Sequence, residues 1–355
     1  MDQLGKLREE IDDLDERILE LLNRRAKVAM EIGHLKKVLR KPFYVPSRER
    51  AIFERLRSIN PGPFPSDAID TVFREIISAS LSLEYPMKVV YLGPKATFTH
   101  VAALQKFGKL AQLAACKSIS SVFDEVASGR ALYGVVPIEN SNEGAVTHTL
   151  DMFLESDLKI IEEHYLEISH DLLVNDGELG DVRRIYSHPQ ALDQCRRWIE
   201  DHLPHAQQVV VTSTARAAQI VADEPNSAAI ASRHAANLYK LRVLESNIQD
   251  NHENYTRFLV IGRDLLEPTG HDRTSILFGF KDRPGVLGEM LEPFKNRSLN
   301  LMKIESRPIK KKAWEYVFFL DIEGHVEDGP IKEAIKELDS FATLLKVLGS
   351  FRRAR

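Results

Sequence analysis

Cysteine is scarce: Cys116 and Cys195 are the two in 355 residues, and they stand far apart. That excludes a disulfide framework and the close ligand spacing of a zinc site. Both fit as small apolar side chains in a reducing compartment. Long apolar runs are missing too, and no stretch approaches the roughly 20 residues that a membrane-spanning helix needs. The N-terminus, Met1-Asp2-Gln3-Leu4, opens into a charged amphipathic run, without the basic-then-apolar order of a secretory signal. A strong charge of either sign is also lacking, since the formal net charge is -4. This argues against the basic face of a nucleic-acid binder. It does not argue against small anionic substrates, because a site sets its own local field. The expected location is the cytoplasm, with neither a nucleic acid nor a membrane as partner.

What is present is an ordinary globular composition, 43% hydrophobic and 28% charged, over a length that suits two or three domains. Three zones differ in pattern. Residues 1–85 read as all-helical. Residues 86–265 alternate short β-rich runs with helical stretches. Residues 273–350 form a smaller mixed unit. Pro86 marks the first boundary and Glu267-Pro268-Thr269-Gly270-His271 forms a linker before the last zone.

In the first zone Leu4, Leu7, Ile11, Leu14, Ile18, Leu21, Arg25, Val28, Ile32 and Leu35 fall at alternating spacings of three and four. That sustained seam predicts one helix over about residues 4–37, roughly 50 Å long. A unit of this size cannot cover so long a seam, so a dimer interlocked through the helix is expected. Arg25 breaks the seam. A buried guanidinium is costly unless an anion meets it. It serves either as a polar residue fixing register or as an anion site in a helical bundle. Lys36 follows three turns on, nearly on the same face and about 16 Å away. Arg8 precedes Arg25 by about 25 Å of helix, so it can reach the same small molecule only from a second, antiparallel chain. A second helix is predicted from near Ser47, with Arg48 and Glu49 in its first turn. A third follows Pro65, with Ser66 as N-cap. Its apolar stripe ends in the polar Ser80 and Glu84, which are either frayed or turned into the same cavity.

The frame Leu7-Arg8-Glu9-Glu10-Ile11, Arg24-Arg25, Lys36, Arg48-Glu49 and Ser80…Glu84 resembles the all-helical chorismate mutase domain over nearly all of residues 1–85. The resemblance implies a domain-exchanged dimer that binds chorismate between helices. It implies that Arg8 and Arg25 take the two carboxylates, that Lys36 and Glu84 flank the ether oxygen, that Glu49 holds the ring hydroxyl, and that Ser80 and Arg48 support. Lys36 and Glu84 would be the catalytic pair. The rearrangement is pericyclic and needs positioning and charge stabilisation, not a nucleophile. Arginine suits this because its fork binds carboxylates bidentately. Some relatives carry glutamine in place of Glu84. A glutamate must be protonated to donate to an ether oxygen, so activity is expected to favour mildly acidic pH. Some carry aspartate in place of Val45, a polar contact that valine cannot make.

In the second zone, Met87–Pro94 reads as a strand ending in a turn. Thr97-Phe98-Thr99-His100 then opens a helix, a natural carboxylate site. The buried-strand pattern Tyr133–Ile138 runs into the polar cluster Glu139-Asn140-Ser141-Asn142-Glu143-Gly144. Ser187-His188-Pro189-Gln190, Ser213-Thr214-Ala215 and Asn254-Tyr255-Thr256-Arg257-Phe258 follow. Such loops gather at strand ends of an open α/β sheet, where His188 alone is more often a structural hydrogen-bonder than a catalyst. Together, Gly93-Pro94-x-x-Thr97-Phe98, Pro137-Ile138-Glu139-Asn140-Ser141 and Thr256-Arg257-Phe258 resemble prephenate dehydratase over residues 86–265. The resemblance implies two α/β lobes with the site in the cleft between them. It implies Thr256 as the catalytic residue, Arg257 as a carboxylate ligand, and Thr97, Asn140, Ser141 and Phe258 as further substrate contacts. Threonine is too weak an acid for conventional general-acid work and acts as a hydrogen-bond donor to the leaving oxygen. Ala96 stands where many relatives have glycine, which is tolerable if φ there is negative.

In the third zone the order βαββαβ is ferredoxin-like. Its strands are expected at 274–280, 299–307, 313–321 and 344–349, and its helices from Asp282 and from Pro330. Gly285-Val286-Leu287 and Glu305-Ser306-Arg307-Pro308 resemble the phenylalanine-binding segments of an ACT domain. A purely structural dimerisation module is the alternative.

The expectation for the whole chain is an enzyme of three domains: all-α, two-lobed α/β and α+β. It converts chorismate to prephenate and prephenate to phenylpyruvate under inhibition by phenylalanine. The resemblance implies no cofactor and no metal, and a homodimer or a higher homo-oligomer. A non-catalytic ligand sensor is the rival from another class; a weak mutase half and a preference for arogenate are nearer rivals.

Overall fold

The computed structural model describes residues 3–39, 41–84, 87–281, 283–308 and 316–354. Pro86, Asp282 and residues 313–315 of the expected strand lie outside the described residues. Among the described residues no helix is long and apolar enough to cross a membrane.

The N-terminal unit holds α1 (Gln3–Leu39), α2 (Pro46–Ser58) and α3 (Ser66–Glu84). The long seam does form one helix. Its C-terminal half packs on α3, where Ala29 and Gly33 are buried. Gly33 allows the closest approach: a Cβ there would lie 2.9 Å from the Glu84 Cβ. Toward the other end of α1 the seam stays open, with Leu7, Ile11 and Leu14 at 52%, 56% and 48% exposure. α2 begins with Pro46 in its first turn, behind Val45, whose side chain caps nothing. Ser66 is itself helical and accepts from Asn60 Nδ2 at 3.2 Å, so it does not serve as the N-cap expected of it.

The second zone is built of two mixed sheets, one in each of the two α/β lobes that the resemblance implies, where the strand pattern alone suggested one open sheet. The first contains β1 (Lys88–Leu92), β2 (Gln112–Cys116), β3 (Tyr133–Asn140), β4 (Gly144–Ala145), β5 (Lys159–Glu167) and β11 (Tyr255–Gly262). Its helices are α4 (Phe98–Phe107), α5 (Ile119–Ala127) and α6 (Thr147–Glu155). The second sheet contains β6 (Asp171–Val174), β7 (Arg184–Ser187), β8 (Gln207–Val210), β9 (Ser227–Ala231) and β10 (Arg242–Glu245). It carries α7 (Pro189–Gln194), α8 (Arg196–His202), α9 (Thr214–Val221) and α10 (Arg233–Tyr239). The strand orders are β2-β1-β3-β11-β5, with β4 beside β3, and β10-β6-β9-β7-β8. The chain leaves the first lobe after β5, builds the second, and returns as β11 between β3 and β5. That return places Thr256 opposite Asn140 and Arg257 opposite Glu139. A residue more than a hundred positions away thereby enters the same site.

Ala96 departs from the expectation of negative φ. Its φ is +68° and it is fully buried. Its N–H donates to His100 Nδ1 at 3.1 Å. An L-residue in this region costs about 1–2 kcal/mol, which the surrounding packing sustains.

The C-terminal unit runs β12 (Asp272–Phe280), α11 (Val286–Lys295), β13 (Leu301–Pro308), β14 (Tyr316–Glu323), α12 (Gly329–Asp339) and β15 (Leu344–Arg352). The sheet is antiparallel, in the order β13-β14-β12-β15, which is the ferredoxin-like arrangement. One side packs on α11 and α12 through Phe278, Met290, Phe294, Leu320 and Leu338. Leu277, Val317, Phe319 and Leu348 join the core of the first α/β lobe with Val136, Ile160 and Leu259. All nine residues of β12 are therefore buried, as strands covered on both faces must be. Gly349 lets β15 approach the Ile160 backbone more closely than any Cβ would permit.

Candidate active sites

Arg25, Lys36, Arg48, Glu49, Ser80 and Glu84 all line one cavity of about 410 Å³ in the helical unit, as does Val45. Arg25 Nη1 donates to Ser80 Oγ, and Ser80 Oγ donates to the Ile76 carbonyl at 2.8 Å. Lys36 Nζ is held by the Phe43 carbonyl at 2.8 Å and Glu84 Oε2 at 3.2 Å. Burial lowers the Arg25 pKa and the charge of Glu84 partly restores it. Of the two readings of Ser80 and Glu84, the cavity-facing one is therefore the observed one. Three cations against two carboxylates leave a formal excess of one positive charge, short of what a dianion demands. Arg8 lies exposed on α1, outside this cavity.

The second site is a cleft of about 610 Å³ between the two lobes, lined by Thr97, Asn140, Glu143, His188, Thr256 and Phe258 among others. Thr97 Oγ1 donates back to the Pro94 carbonyl at 2.9 Å and shapes the turn before α4. Asn140 orients Thr256. Its Oδ1 accepts from the backbone N–H of Asn142 at 2.9 Å and of Glu143 at 3.3 Å, which settles which end of the amide is oxygen. Its Nδ2 then donates to Thr256 Oγ1 and to Asn254 Oδ1, both at 2.9 Å. The Thr256 oxygen accepts, so its own hydrogen turns away from Asn140 and is available to the cleft.

The network continues across the cleft. Asn254 Nδ2 donates to Gln194 Oε1 at 2.9 Å, and Gln194 Nε2 donates to Glu143 Oε1 at 3.1 Å. Gln190 Nε2 reaches the other Glu143 oxygen. A lobe-one carboxylate is thus gripped by two α7 side chains of lobe two. Burial raises the Glu143 pKa, against the lowering by Gln194. His170 lies 5.5 Å from the Phe98 ring and meets Gln194 Oε1 at 2.9 Å; burial lowers its pKa. His188 caps α7 by accepting from Gln190 N, a structural use.

Two expected substrate contacts are not brought to the cleft. Ser141 Oγ accepts from the Tyr255 N–H at 3.0 Å and stitches its loop to β11. Arg257 follows Thr256 in a strand, so it projects from the opposite face. It is 5% exposed, with Nε on Glu163 at 2.8 Å and Nη1 on Asp321 at 2.8 Å. Burial works to lower its pKa, and Asp321 and Glu163 outweigh that and raise it. An arginine already held by two carboxylates has little left to offer a substrate carboxylate. Gly33, Gln194 and Asn254 carry roles that sequence reasoning missed. A glycine inside a helical pattern signals close packing and could have exposed Gly33. The spacing of four between Gln190 and Gln194 hints at one helical face. Asn254 stands in a loop expected at the strand ends, but nothing local points to its bonds with Asn140 and Gln194.

In the C-terminal unit Gly285 has φ +82° and begins the turn into α11; Val286 is buried and Leu287 partly exposed. Glu305, Ser306 and Arg307 lie on β13, at the edge of the sheet. Arg307 Nη2 pairs with Asp151 of α6 at 3.2 Å.

The chain matches three family models: chorismate mutase type II over residues 7–85, prephenate dehydratase over 89–265 and the ACT domain over 274–340. It is 52% identical to a bifunctional chorismate mutase/prephenate dehydratase of Aquifex aeolicus, covering 100% of this chain and 99% of that one. A protein of the same description from Pseudomonas aeruginosa is 45% identical, covering 99% and 98%. Among solved structures, a prephenate dehydratase from Arthrobacter aurescens in complex with L-Phe is similar at a TM-score of 0.70 and 38% identity, over 76% of this chain and 90% of that one.

Proposed function

This chain belongs to the bifunctional chorismate mutase/prephenate dehydratase family, and from that premise we propose how its own residues perform the two reactions and their control by phenylalanine. It is an enzyme that rearranges chorismate to prephenate and then converts prephenate to phenylpyruvate.

For the rearrangement, Arg25 and the partner subunit's copy of Arg8 bind the two carboxylates and fold the side chain over the ring. The charge deficit of the cavity and the uncovered half of α1 support a homodimer in which the second chain supplies that cation. Lys36 and Glu84 face the ether oxygen, Glu49 the ring hydroxyl, and Ser80 and Arg48 hold Arg25 and the cavity wall. Glu84 Oε2 meets Lys36 Nζ at 3.2 Å, and a carboxyl group donates to an ether oxygen only when it carries a proton.

For the dehydration, the bond from the ring to its carboxylate breaks and releases carbon dioxide. The freed electron pair completes the aromatic ring as the carbon–hydroxyl bond breaks, and the hydroxide takes up a proton to leave as water. Thr256 donates its hydrogen bond to that departing oxygen, with Thr97, Asn140 and Phe258 around the substrate. The observation that carries this assignment is the Asn140–Thr256 hydrogen bond, whose direction is set by the two backbone donors on Asn140. Phenylalanine binds at Gly285-Val286-Leu287 and Glu305-Ser306-Arg307 of the ACT domain, a reading supported by the L-Phe complex of the similar dehydratase. Domains over residues 1–85, 86–265 and 273–350, and a cytoplasmic location consistent with the free thiols of Cys116 and Cys195, complete the assignment.

The test is incubation of purified protein with chorismate alone, with prephenate and phenylpyruvate followed over time. Transient prephenate followed by phenylpyruvate, with the second step suppressed by phenylalanine, is the expected result. Prephenate that accumulates unchanged overturns the role given to Thr256. Chorismate that decays no faster than without protein overturns the Arg25 assignment.

A further inference from the structure

Asn140 and Thr256 face each other across β3 and β11, and their chain neighbours Glu139 and Arg257 form the next pair of the same register. The first pair lines the cleft. Arg257, on the other face, is gripped by the ACT sheet, and so is Glu139. Lys303 of β13 pairs with Glu139 at 2.8 Å, and Asp321 of β14 pairs with Arg257 at 2.8 Å. Arg257 Nη1 lies 4.0 Å from Glu139. Behind them, Glu163 Oε2 of β5 accepts from Arg257 Nε and from Arg273 Nη1 of β12, both at 2.8 Å. Asp321 also accepts from Ser275 Oγ.

The geometry points to Glu139 and Arg257 as positioning residues through which the ACT sheet sets the Asn140–Thr256 hydrogen bond, so that phenylalanine bound beside β13 acts on dehydration through Lys303 and Asp321. The inference rests on the dehydratase and phenylalanine assignments above. Three features carry it. Glu163 is 1% and Arg257 5% exposed, so a shift of their ACT partners is not absorbed by water; a buried charge must follow its partner or lose it. The side chains stand on a short pleated register, where moving residue 257 moves residue 256 with it. Lys303 shares β13 with Glu305, Ser306 and Arg307, and Arg307 makes its own ion pair with Asp151 of α6. One of the two expected phenylalanine segments and two of the straps to the dehydratase lobe, those of Lys303 and Arg307, are therefore on one strand. Coupling of this kind requires only that the effector favour one of two sheet positions.

The experiment uses the full chain, with mutase activity as an internal measure of intact protein. Lys303→Gln removes a partly exposed cation and Asp321→Asn keeps the acceptor for Ser275 while removing the charge that holds Arg257. Dehydration is assayed against prephenate over a phenylalanine series, and phenylalanine binding is measured by calorimetry. The expected result is that phenylalanine still binds, that uninhibited kcat stays within about 3-fold, and that the half-inhibitory concentration rises about 10-fold or more, the usual scale of allosteric coupling. Lys303→Arg is expected to restore inhibition. Unchanged inhibition in both variants overturns the inference, and so does loss of phenylalanine binding itself, which would place these residues in the ligand site. A parent enzyme that dehydrates prephenate but ignores phenylalanine overturns the inference together with the regulatory assignment alone. A parent that does not dehydrate prephenate overturns the dehydratase assignment as well.

Discussion

Asn140 Nδ2 donates to Thr256 Oγ1 at 2.9 Å across two adjacent strands, so the side chain that orients the hydroxyl proposed to assist the leaving oxygen comes from a strand distant in the chain. Because the Thr256 oxygen accepts, replacing its hydroxyl by a methyl removes a donor without removing volume. Thr256→Val is expected to lower dehydratase kcat about 10²–10³-fold, the range seen when one preorganised donor is lost, with mutase activity unchanged. Asn140→Ala is expected to cost less, since the hydroxyl remains but its direction is free. Parallel assays with chorismate and with prephenate decide both.

Gly33 offers a test of the mutase half that touches no polar group. A methyl there would meet the Cβ, Cα and carbonyl of Glu84 at 2.9–3.0 Å, forcing the end of α3 outward. Gly33→Ala raises intrinsic helix propensity by about 1 kcal/mol, yet it displaces Glu84 from Lys36. We expect mutase kcat/KM to fall about 10²-fold, as misplacements near 1 Å do, while prephenate dehydration is unaltered.

Val45 sits at the N-cap of α2 with φ -130° and ψ 95°, suitable for a capping side chain that valine does not have. In Val45→Asp, one carboxylate oxygen can accept from the Arg48 N–H while the other faces the cavity. The helical unit is expected to gain about 1 kcal/mol from the cap, and KM for chorismate to fall about 3–10-fold for one added hydrogen bond. Thermal unfolding and initial rates measure the two effects separately.

His100 is buried against Tyr91 and His234, and burial, with His234 and Lys95, depresses its pKa to about 4. In the unfolded chain it titrates near 6.5. Between these values the unfolded state binds more protons, so stability falls as pH drops from about 6.5 to about 4 and is flat with respect to this group above 6.5. Protonation also removes the acceptor that Nδ1 gives to the Ala96 N–H. His100→Gln, which still accepts but does not titrate, is expected to flatten the denaturation midpoint between pH 6.5 and 4.5.

Local pattern alone was enough for the long seam helix of the helical unit and for the helices after Pro46 and Pro65, because spacings of three and four report one face of a helix; that Arg25, Ser80 and Glu84 meet in one cavity is decided only when the helices pack. The βαββαβ order and the ACT resemblance were equally legible, since each element carries its own periodicity. What only the tertiary structure decided is which residues of different elements meet. A strand's two faces differ by one residue, and Thr256-Arg257 reads as one motif although β11 sends Thr256 to the cleft and Arg257 to Asp321 of the ACT sheet. The grip of Gln190 and Gln194 on Glu143 and the positive φ of Ala96 likewise depend on long-range register and packing. A sequence encodes those through the sum of many weak contacts, not through any local signal.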